Sequence, residues 1–504
     1  MTAASETSSP AIRSLIPARV DRLGWSRFHT RMVMALGVAW ILDGLEITIA
    51  SNLTAALTQK STLAMSSGGV ADIATWYLIG EVAGALAFGR LSDKLGRRNL
   101  FMITLAVYLV GSGLTAAAWT GAGPGVIYLY ATRVIAGSGI GGEYAAINSA
   151  IDEMIPARYR GRIDIAVNGT YWAGALIGTT ATLFLLNHLA PNLGWRIAFV
   201  VGPVLGAVIM YVRRNLPESP RWLIMHGRAA EAEAAISQIE QEATRHGGKL
   251  APLSDGQAIE IVPTERLGYL ALVRVLFRHY PDRSVLVAAL MITQSFLYNA
   301  IFFTYGLVLS KFFHVPAASV PYYFYAFAAG NLLGPLTIGR LFDTLGRKKM
   351  IAGTYIIAGV LLVISAQLFK NGQLNATTQT LAWAVIFFFA SAGASAGYLT
   401  ASEVFPLEVR AQAIAVFFAI AQLFGSLGSH LYGHLIGNGH NPNNLYIGFL
   451  IGAGAMILGG IVEIFLGVDA EGKSLEDVAS PLSMVRKAGH GVTPGPVPGT
   501  SGTT

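Results

Sequence analysis

Polar and apolar positions along this chain fall into blocks: apolar runs of about 20 residues, the length a helix needs to cross a hydrocarbon core, are separated by short polar or basic stretches. The runs lie near 32–55, 73–91, 99–119, 126–151, 162–187 and 195–212, then near 284–310, 320–340, 350–369, 379–401, 411–436 and 445–467. Several have surplus length that tilt would absorb. The pattern predicts an all-α membrane protein of twelve spanning helices in two bundles of six, 32–212 and 284–467, with polar segments 1–31, 213–283 and 468–504 around them. Within the middle segment, Arg228 to Arg245 is rich in Ala and Glu and predicts a short surface helix. The tail is rich in Gly, Pro, Ser and Thr and is expected to lack order from about Ser483 onward.

Composition agrees: 53% of residues are hydrophobic, 12% are charged and mean hydropathy is +0.53. Charge then sets an orientation. Most of the 35 Lys and Arg residues fall in segments on one side of the spans, including Arg13 to Arg31, Arg90 to Arg98, Arg158 to Arg162 and the middle segment. The positive-inside rule makes that side, with both termini, cytoplasmic. The expectation is a multi-pass protein of a bacterial inner (plasma) membrane. The net charge of +7 is then a topology signal. Nucleic acid is not expected as a partner, because the basic residues sit in short turns rather than in a basic domain. The chain has no Cys, which excludes disulfides, thiolate metal sites and thiol chemistry. Residues 1–29 hold no apolar signal core, so the first span is expected to act as an uncleaved anchor.

The two bundles repeat one unit. Gly89-Arg-Leu-Ser-Asp93-Lys-Leu-Gly96-Arg97-Arg98 returns as Gly339-Arg-Leu-Phe-Asp343-Thr-Leu-Gly346-Arg347-Lys348, and Glu153, Pro156 and Arg160 return as Glu403, Pro406 and Arg410. Each partner is numbered 250 higher. Internal repeats of this kind are a property of secondary transporters.

These motifs, with Arg133-x-x-x-Gly137-x-Gly139-x-Gly141 and Pro217-Glu-Ser-Pro-Arg-Trp-Leu223, resemble the major facilitator superfamily. More narrowly they are similar to its sugar-porter branch and the neighbouring organic-acid and metabolite proton symporters. The resemblance covers 30–467 and implies two six-helix bundles related by a pseudo-twofold, with substrate between them near mid-membrane. It also implies a cytoplasmic gate built from Gly89, Asp93, Gly96, Arg97, Arg98, Glu153 and Arg160 in one half and Gly339, Asp343, Gly346, Arg347, Glu403 and Arg410 in the other. Carboxylates and guanidiniums there would pair in one conformation and part in the next. The alternative, a set of solvated turn charges, explains the charges but not their recurrence.

Ionisable groups within spans are functional candidates because burying one unpaired costs at least about 2.5 kcal/mol. They are Asp43, Glu46, Glu81, Arg133 and Glu143, with Glu463 near the end of the last span. Asp43 and Glu46 share one helix face. At about 1.5 Å per residue, Glu46 lies roughly 21 Å above the inner end of its span and Arg133 roughly 11 Å below the outer end of the fourth. In a core of about 30 Å these depths coincide, so the two can meet. An acid facing an arginine in a dry site is stable either ionised and paired or protonated and released, which is what proton coupling requires. Asp43-Gly44-Leu45-Glu46 is also similar to the Asp-Gly-x-Asp of aromatic-acid symporters, with Glu in the last place. The alternative is a permanent salt bridge. Across the repeat, Asp43, Glu46 and Arg133 map onto the uncharged Thr293, Phe296 and Trp383. Glu81 reads either as a second acid or as a packing group between Gly80 and Gly84, and Glu143 as gate or cavity wall.

For substrate contacts the candidates are Asn168, Tyr171, Trp172, Gln294, Tyr298, Asn299, Tyr398 and Gln422. Gln294 and Asn299 match sugar-contacting positions of sugar porters, yet Phe303 and Thr304 stand in place of a tyrosine pair and Gly397-Tyr398 in place of Pro-Trp. Half the polar set for a pyranose is altered. The chain has no phosphate-binding Gly-rich loop with Lys-Ser/Thr and no clustered nucleophile or metal set; His430 and His434 read as interfacial. No cofactor or metal is expected, and no enzyme. The expectation is a secondary active transporter working as a monomer on protons and a small organic solute, an organic or aromatic acid ahead of a sugar. A proton-driven exporter of drugs or metabolites and a non-transporting nutrient sensor are the rival readings.

Overall fold

Twelve long helices occupy the places of the twelve apolar runs. The computed structural model describes residues 12–53, 57, 62–63, 65, 67–119, 123–213, 218–245, 250–254, 258–261, 268–316, 319–406, 409–436, 441–473, 475–479 and 484–487. The first half holds α1 (Arg27–Asn52), α2 (Ser67–Leu95), α3 (Arg97–Thr115), α4 (Pro124–Met154), α5 in two segments (Ala157–Gly169 and Tyr171–His188) and α6 (Pro191–Arg213). The second holds α7 (Pro281–Phe312), α8 (Val320–Ile338), α9 (Arg347–Lys370), α10 (Ala376–Glu403), α11 (Arg410–Ile436) and α12 (Pro442–Leu466). Eight of these are long and apolar enough to cross a bilayer by length and composition alone; α2, α4, α5 and α8 complete the two bundles.

Helix ends follow local chemistry. Pro124, Pro281 and Pro442 open α4, α7 and α12, where the missing N–H has no intrahelical partner to lose. α4 stops at Met154 because Ile155, preceding Pro156, is held in extended backbone. Most helices outrun their apolar runs, as α2 does by carrying Asp93 and Lys94 in its last turn.

Packing reproduces the repeat. In the first half α1 packs on α5, α2 on α4, and α3 on α4 and α6; in the second, α7 packs on α11, α8 on α10, and α9 on α10 and α12. The halves meet where α2 lies against α11 and α5 against α8. Gly80 and Gly84 bring α2 onto the backbone of Val134 and Ser138, and Gly330 and Gly334 bring α8 onto Ala384 and Phe388, each partner again 250 higher. A Cβ at Gly84 would overlap the Ser138 carbonyl oxygen. Gly84→Ala is therefore expected to cost about 1–3 kcal/mol by overpacking, read as a lower unfolding temperature in detergent. An unchanged temperature would remove close approach as the reason for glycine there.

The first and last described segments, 12–14 and 484–487, join one sheet on one face, called here the terminal face. On it, short helices Ile16–Asp21, Pro220–Met225 and Ala229–Thr244 pack beneath α1 and α4. Arg19 and Arg22 hold Glu240 at 2.6 and 2.5 Å. Burial would raise the Glu240 carboxyl, and the hydrogen bonds from the two guanidiniums more than offset it, holding it below its ordinary value. The sequence pattern missed a small antiparallel sheet, in the order β1 (Ile12–Ser14), β2 (Ile259–Ile261), β3 (Met484–Lys487). The expectation that the tail lacks order from Ser483 is thus corrected over 484–487, where backbone pairing to β2 gives the segment a partner that composition cannot reveal.

Candidate functional site

Of the membrane charges of the first half, the structure pairs Glu46 with Arg133. α1 carries Glu46 to the depth of Arg133 on α4, and Arg133 Nη1 stands 2.9 Å from Glu46 Oε1, both residues buried. Two hydroxyls of α3, Tyr108 and Ser112, donate to the same carboxylate. The guanidinium lies over Tyr77, 4.6 Å from its ring centre, and 5.3 Å from that of Phe199. Glu46 is thus surrounded by donors from α3 and α4, and Arg133 by aromatic faces from α2 and α6. Asp43 is buried on α1 one turn nearer the terminal face. Glu143 is buried in α4, and Glu463 is buried near the end of α12.

Beside this cluster, between the halves, is a cavity of about 140 Å³. All eight neutral residues proposed above as substrate contacts lie on its wall, as does Glu81. From α5 come Asn168, Tyr171 and Trp172. α7 provides Gln294, Tyr298 and Asn299; α10 provides Tyr398; and α11 provides Gln422. Gln294 Nε2 donates to the Tyr398 hydroxyl at 3.4 Å, and the Tyr298 hydroxyl donates to Asn331 Oδ1 at 3.0 Å. Asn168 Nδ2 donates to the Asp164 carbonyl at 2.8 Å. Trp172 meets Tyr171, Tyr298 and Phe302 with ring centres 5.2, 6.1 and 5.8 Å away. The Gln422 amide donates across the seam to Glu81 of α2.

The halves are tied together again at the terminal face. Arg160, at the start of α5, reaches Glu403 at the end of α10 (3.5 Å), and Arg347 of α9 pairs with the same carboxylate. Asp343 accepts from the Arg162 backbone N–H at 2.7 Å and sits 3.3 Å from Arg347. Arg160 also lies 3.5 Å from Asp21, which pairs with Arg221 at 3.0 Å. Arg410 donates to the Phe405 carbonyl at 3.1 Å, while Glu153 is buried at the end of α4. Gly96 and Gly346 precede α3 and α9 with φ of 82° and 104°, a backbone glycine accepts without strain. Glu218 then receives the Arg98 N–H at 3.3 Å, and Glu471 the Arg347 N–H at 3.5 Å, each an anion at a helix N-terminus. Gly89 lies within α2, and Gly339 caps α8. The side chains of Asp93 and Arg97 lie outside the described set, as does Pro217. Among the described residues no three His, Asp or Glu side chains gather as metal ligands.

A family model described as "Sugar (and other) transporter" matches residues 37–481. The chain belongs to this family. It is a membrane transporter of the major facilitator fold in the sugar-porter-like branch, and not an enzyme. Relatives of the sugar (and other) transporter chain include the niacin transporter NiaP of Acinetobacter baylyi, 26% identical over 463 residues that cover 92% of this chain and 99% of that protein. The putative metabolite transport protein YyaJ of Bacillus subtilis is 25% identical, covering 91% of this chain and 96% of its own. Among solved structures, the proton:xylose symporter XylE bound to 6-bromo-6-deoxy-D-glucose superposes with a TM-score of 0.74 at 18% identity, covering 90% and 98% of the two chains. Inward-open XylE from E. coli gives 0.62 at 19% identity, over 90% and 98%.

Sequence reasoning missed Tyr108 and Ser112, Tyr77, Ser295 and the two helix-capping acids Glu218 and Glu471. A signal for the first pair was present: two hydroxyls four residues apart in a largely apolar span, where each needs a partner. Ser295, between Gln294 and Phe296, carries no comparable mark.

Proposed function

We propose that this transporter is a proton-coupled symporter of a small organic solute, an organic or aromatic acid ahead of a sugar, working by alternating access with both termini cytoplasmic. The observation that carries the reading is the buried Glu46–Arg133 pair beside the cavity. Protonating Glu46 would release Arg133 from its partner, and deprotonating it would restore the pair, so water reaching the site from alternate sides loads and unloads a proton. The second half has Thr293, Phe296 and Trp383 at the matching positions, which supports a division between a coupling half and a substrate-binding half. An aromatic acid suits a wall rich in Trp and Tyr with amides interspersed, and a relative that bears the name niacin transporter supports the same class. Lys and Arg are absent from the described wall, so an acid enters protonated or draws on Arg133. Sugar is the second reading, favoured by Gln294 and Asn299 and by the xylose symporter among the structural neighbours.

The test is uptake of radiolabelled benzoate, pyridine-3-carboxylate and xylose into vesicles holding the purified protein, corrected for protein-free vesicles. An outside-acid gradient is expected to speed uptake of a ring acid. Rates indifferent to the gradient would sink the coupling, stimulation by an inside-acid gradient would point to antiport, and stimulation of xylose alone would move the substrate to sugar.

A further inference from the structure

Among the described residues of the cavity wall one is an Asp, Glu, Lys or Arg, the carboxylic acid Glu81. Asp43, Glu46 and Arg133 do not line the cavity, and Arg133 is already engaged by Glu46. A chain of hydrogen bonds fixes what Glu81 presents. Asn299 Nδ2 donates to Ser295 Oγ at 3.1 Å, Ser295 Oγ donates to Gln422 Oε1 at 2.8 Å, and the Gln422 amide nitrogen donates to Glu81 Oε2. Because the hydroxyl proton is spent on Gln422 Oε1, the amide turns its N–H outward, and every donor in the line points toward the carboxylate. Glu81 is therefore the acceptor at which the line ends, and a carboxyl group that a cation holds ionised has lone pairs for more than one donor. Five aromatic side chains, Trp40, Tyr77, Tyr144, Tyr171 and Tyr398, share its wall. A carboxylate on a wall rich in aromatic rings suits cationic nitrogen, through charge-assisted hydrogen bonds and attraction to ring faces. Size adds a limit. At about 140 Å³ the space resembles the cavity of about 150 Å³ that holds a single benzene ring.

We infer that the cavity takes a one-ring aromatic compound bearing a protonated nitrogen, and that Glu81 is the residue that receives that nitrogen. The inference rests on the proposed aromatic solute and narrows it to an amphoteric one, an aromatic acid with an amine or a ring N–H. Packing alone gives Glu81 a different role: it would strap α2 to α11 through Gln422 and be indifferent to ligand chemistry.

Two isosteric probes separate these roles: 3-(aminomethyl)benzoate and 3-ethylbenzoate, alike in ring, acid and size, and differing in the ammonium. Trp40 and Trp172 line the cavity, so binding to the purified full chain is read from tryptophan fluorescence. The unaltered protein should bind the ammonium probe about ten-fold tighter or more than the ethyl probe. Glu81→Gln should bring the two to within about two-fold by weakening the ammonium probe, and an unfolding temperature like that of the unaltered protein shows that the variant is folded. Glu81→Asp, which keeps the charge one methylene back, should retain a preference of about three-fold. Equal binding of the two probes by the unaltered protein, or an equal loss of both in Glu81→Gln, would overturn the inference and leave the aromatic solute standing. Quenching by xylose with neither ring compound binding would overturn both.

Discussion

Glu46→Gln should leave the carrier able to exchange solute and unable to concentrate it. The amide keeps the shape of the carboxyl: its oxygen in the place of Oε1 still accepts from Arg133 and Ser112, and its NH2 in the place of Oε2 can donate to the Tyr108 hydroxyl oxygen. It cannot take up or release a proton. One pH unit is worth 1.36 kcal/mol, so a symporter moving one proton with each solute concentrates up to about ten-fold across that gradient. For a solute that does not cross lipid unaided, the unaltered protein should approach this ratio and Glu46→Gln should stay near one. Counterflow, which needs no net proton movement, should persist within a few-fold. Both are measured in proteoliposomes. Full accumulation by Glu46→Gln would remove Glu46 from coupling, and Asp43→Asn, altered in the same way, tests the other acid of α1.

Glu403→Ala should open the terminal face. The Glu403 carboxylate is buried and pairs with Arg160 of the first half and Arg347 of the second. Removing it leaves two buried guanidiniums near each other, each still beside an acid, Asp21 for Arg160 and Asp343 for Arg347. Loss of one partner from a buried pair costs about 3–5 kcal/mol, and this cost falls only on the conformation in which the pair is made. About 3 kcal/mol shifts an equilibrium by more than a hundred-fold, so the variant should rest largely in the state open at that face. The chain has no Cys, which leaves a blank background for labelling. A single cysteine at Ala85, fully buried where α2 adjoins the second half, should react with a water-soluble maleimide much faster when combined with Glu403→Ala. Equal rates would show that Glu403 does not hold this face shut.

The twelve spans were legible because a bilayer leaves helices little choice, and the repeat made the two bundles legible through paired motifs. Depth arithmetic was enough to bring Glu46 and Arg133 together, since both sit in helices whose ends the charges mark. What depth cannot supply is azimuth. Nothing in the sequence says that Tyr108 and Ser112 turn toward α1, or that Gln422 reaches Glu81. The repeat even misleads about partners at the terminal face: it relates Arg160 to Arg410 and Glu403 to Glu153, whereas Arg160 reaches Glu403 in the opposite half. Pairs that form between copies are invisible to a comparison that overlays them. The three short strands were unreadable for a related reason, because each is defined by partners far away in the chain.

The glycine contacts have a mechanical consequence. Gly80 and Gly84 press α2 onto α4, and Gly330 and Gly334 press α8 onto α10, backbone to backbone. Such pairs bend little, so each half acts as a stiff lever and shape change is concentrated at the joint between the levers. The Glu81–Gln422 bond crosses that joint at the wall of the cavity. A solute lodged there would bear on both levers at once, like a shim in a hinge, so on the proposed reading whatever fills the cavity would also set how far the hinge can close.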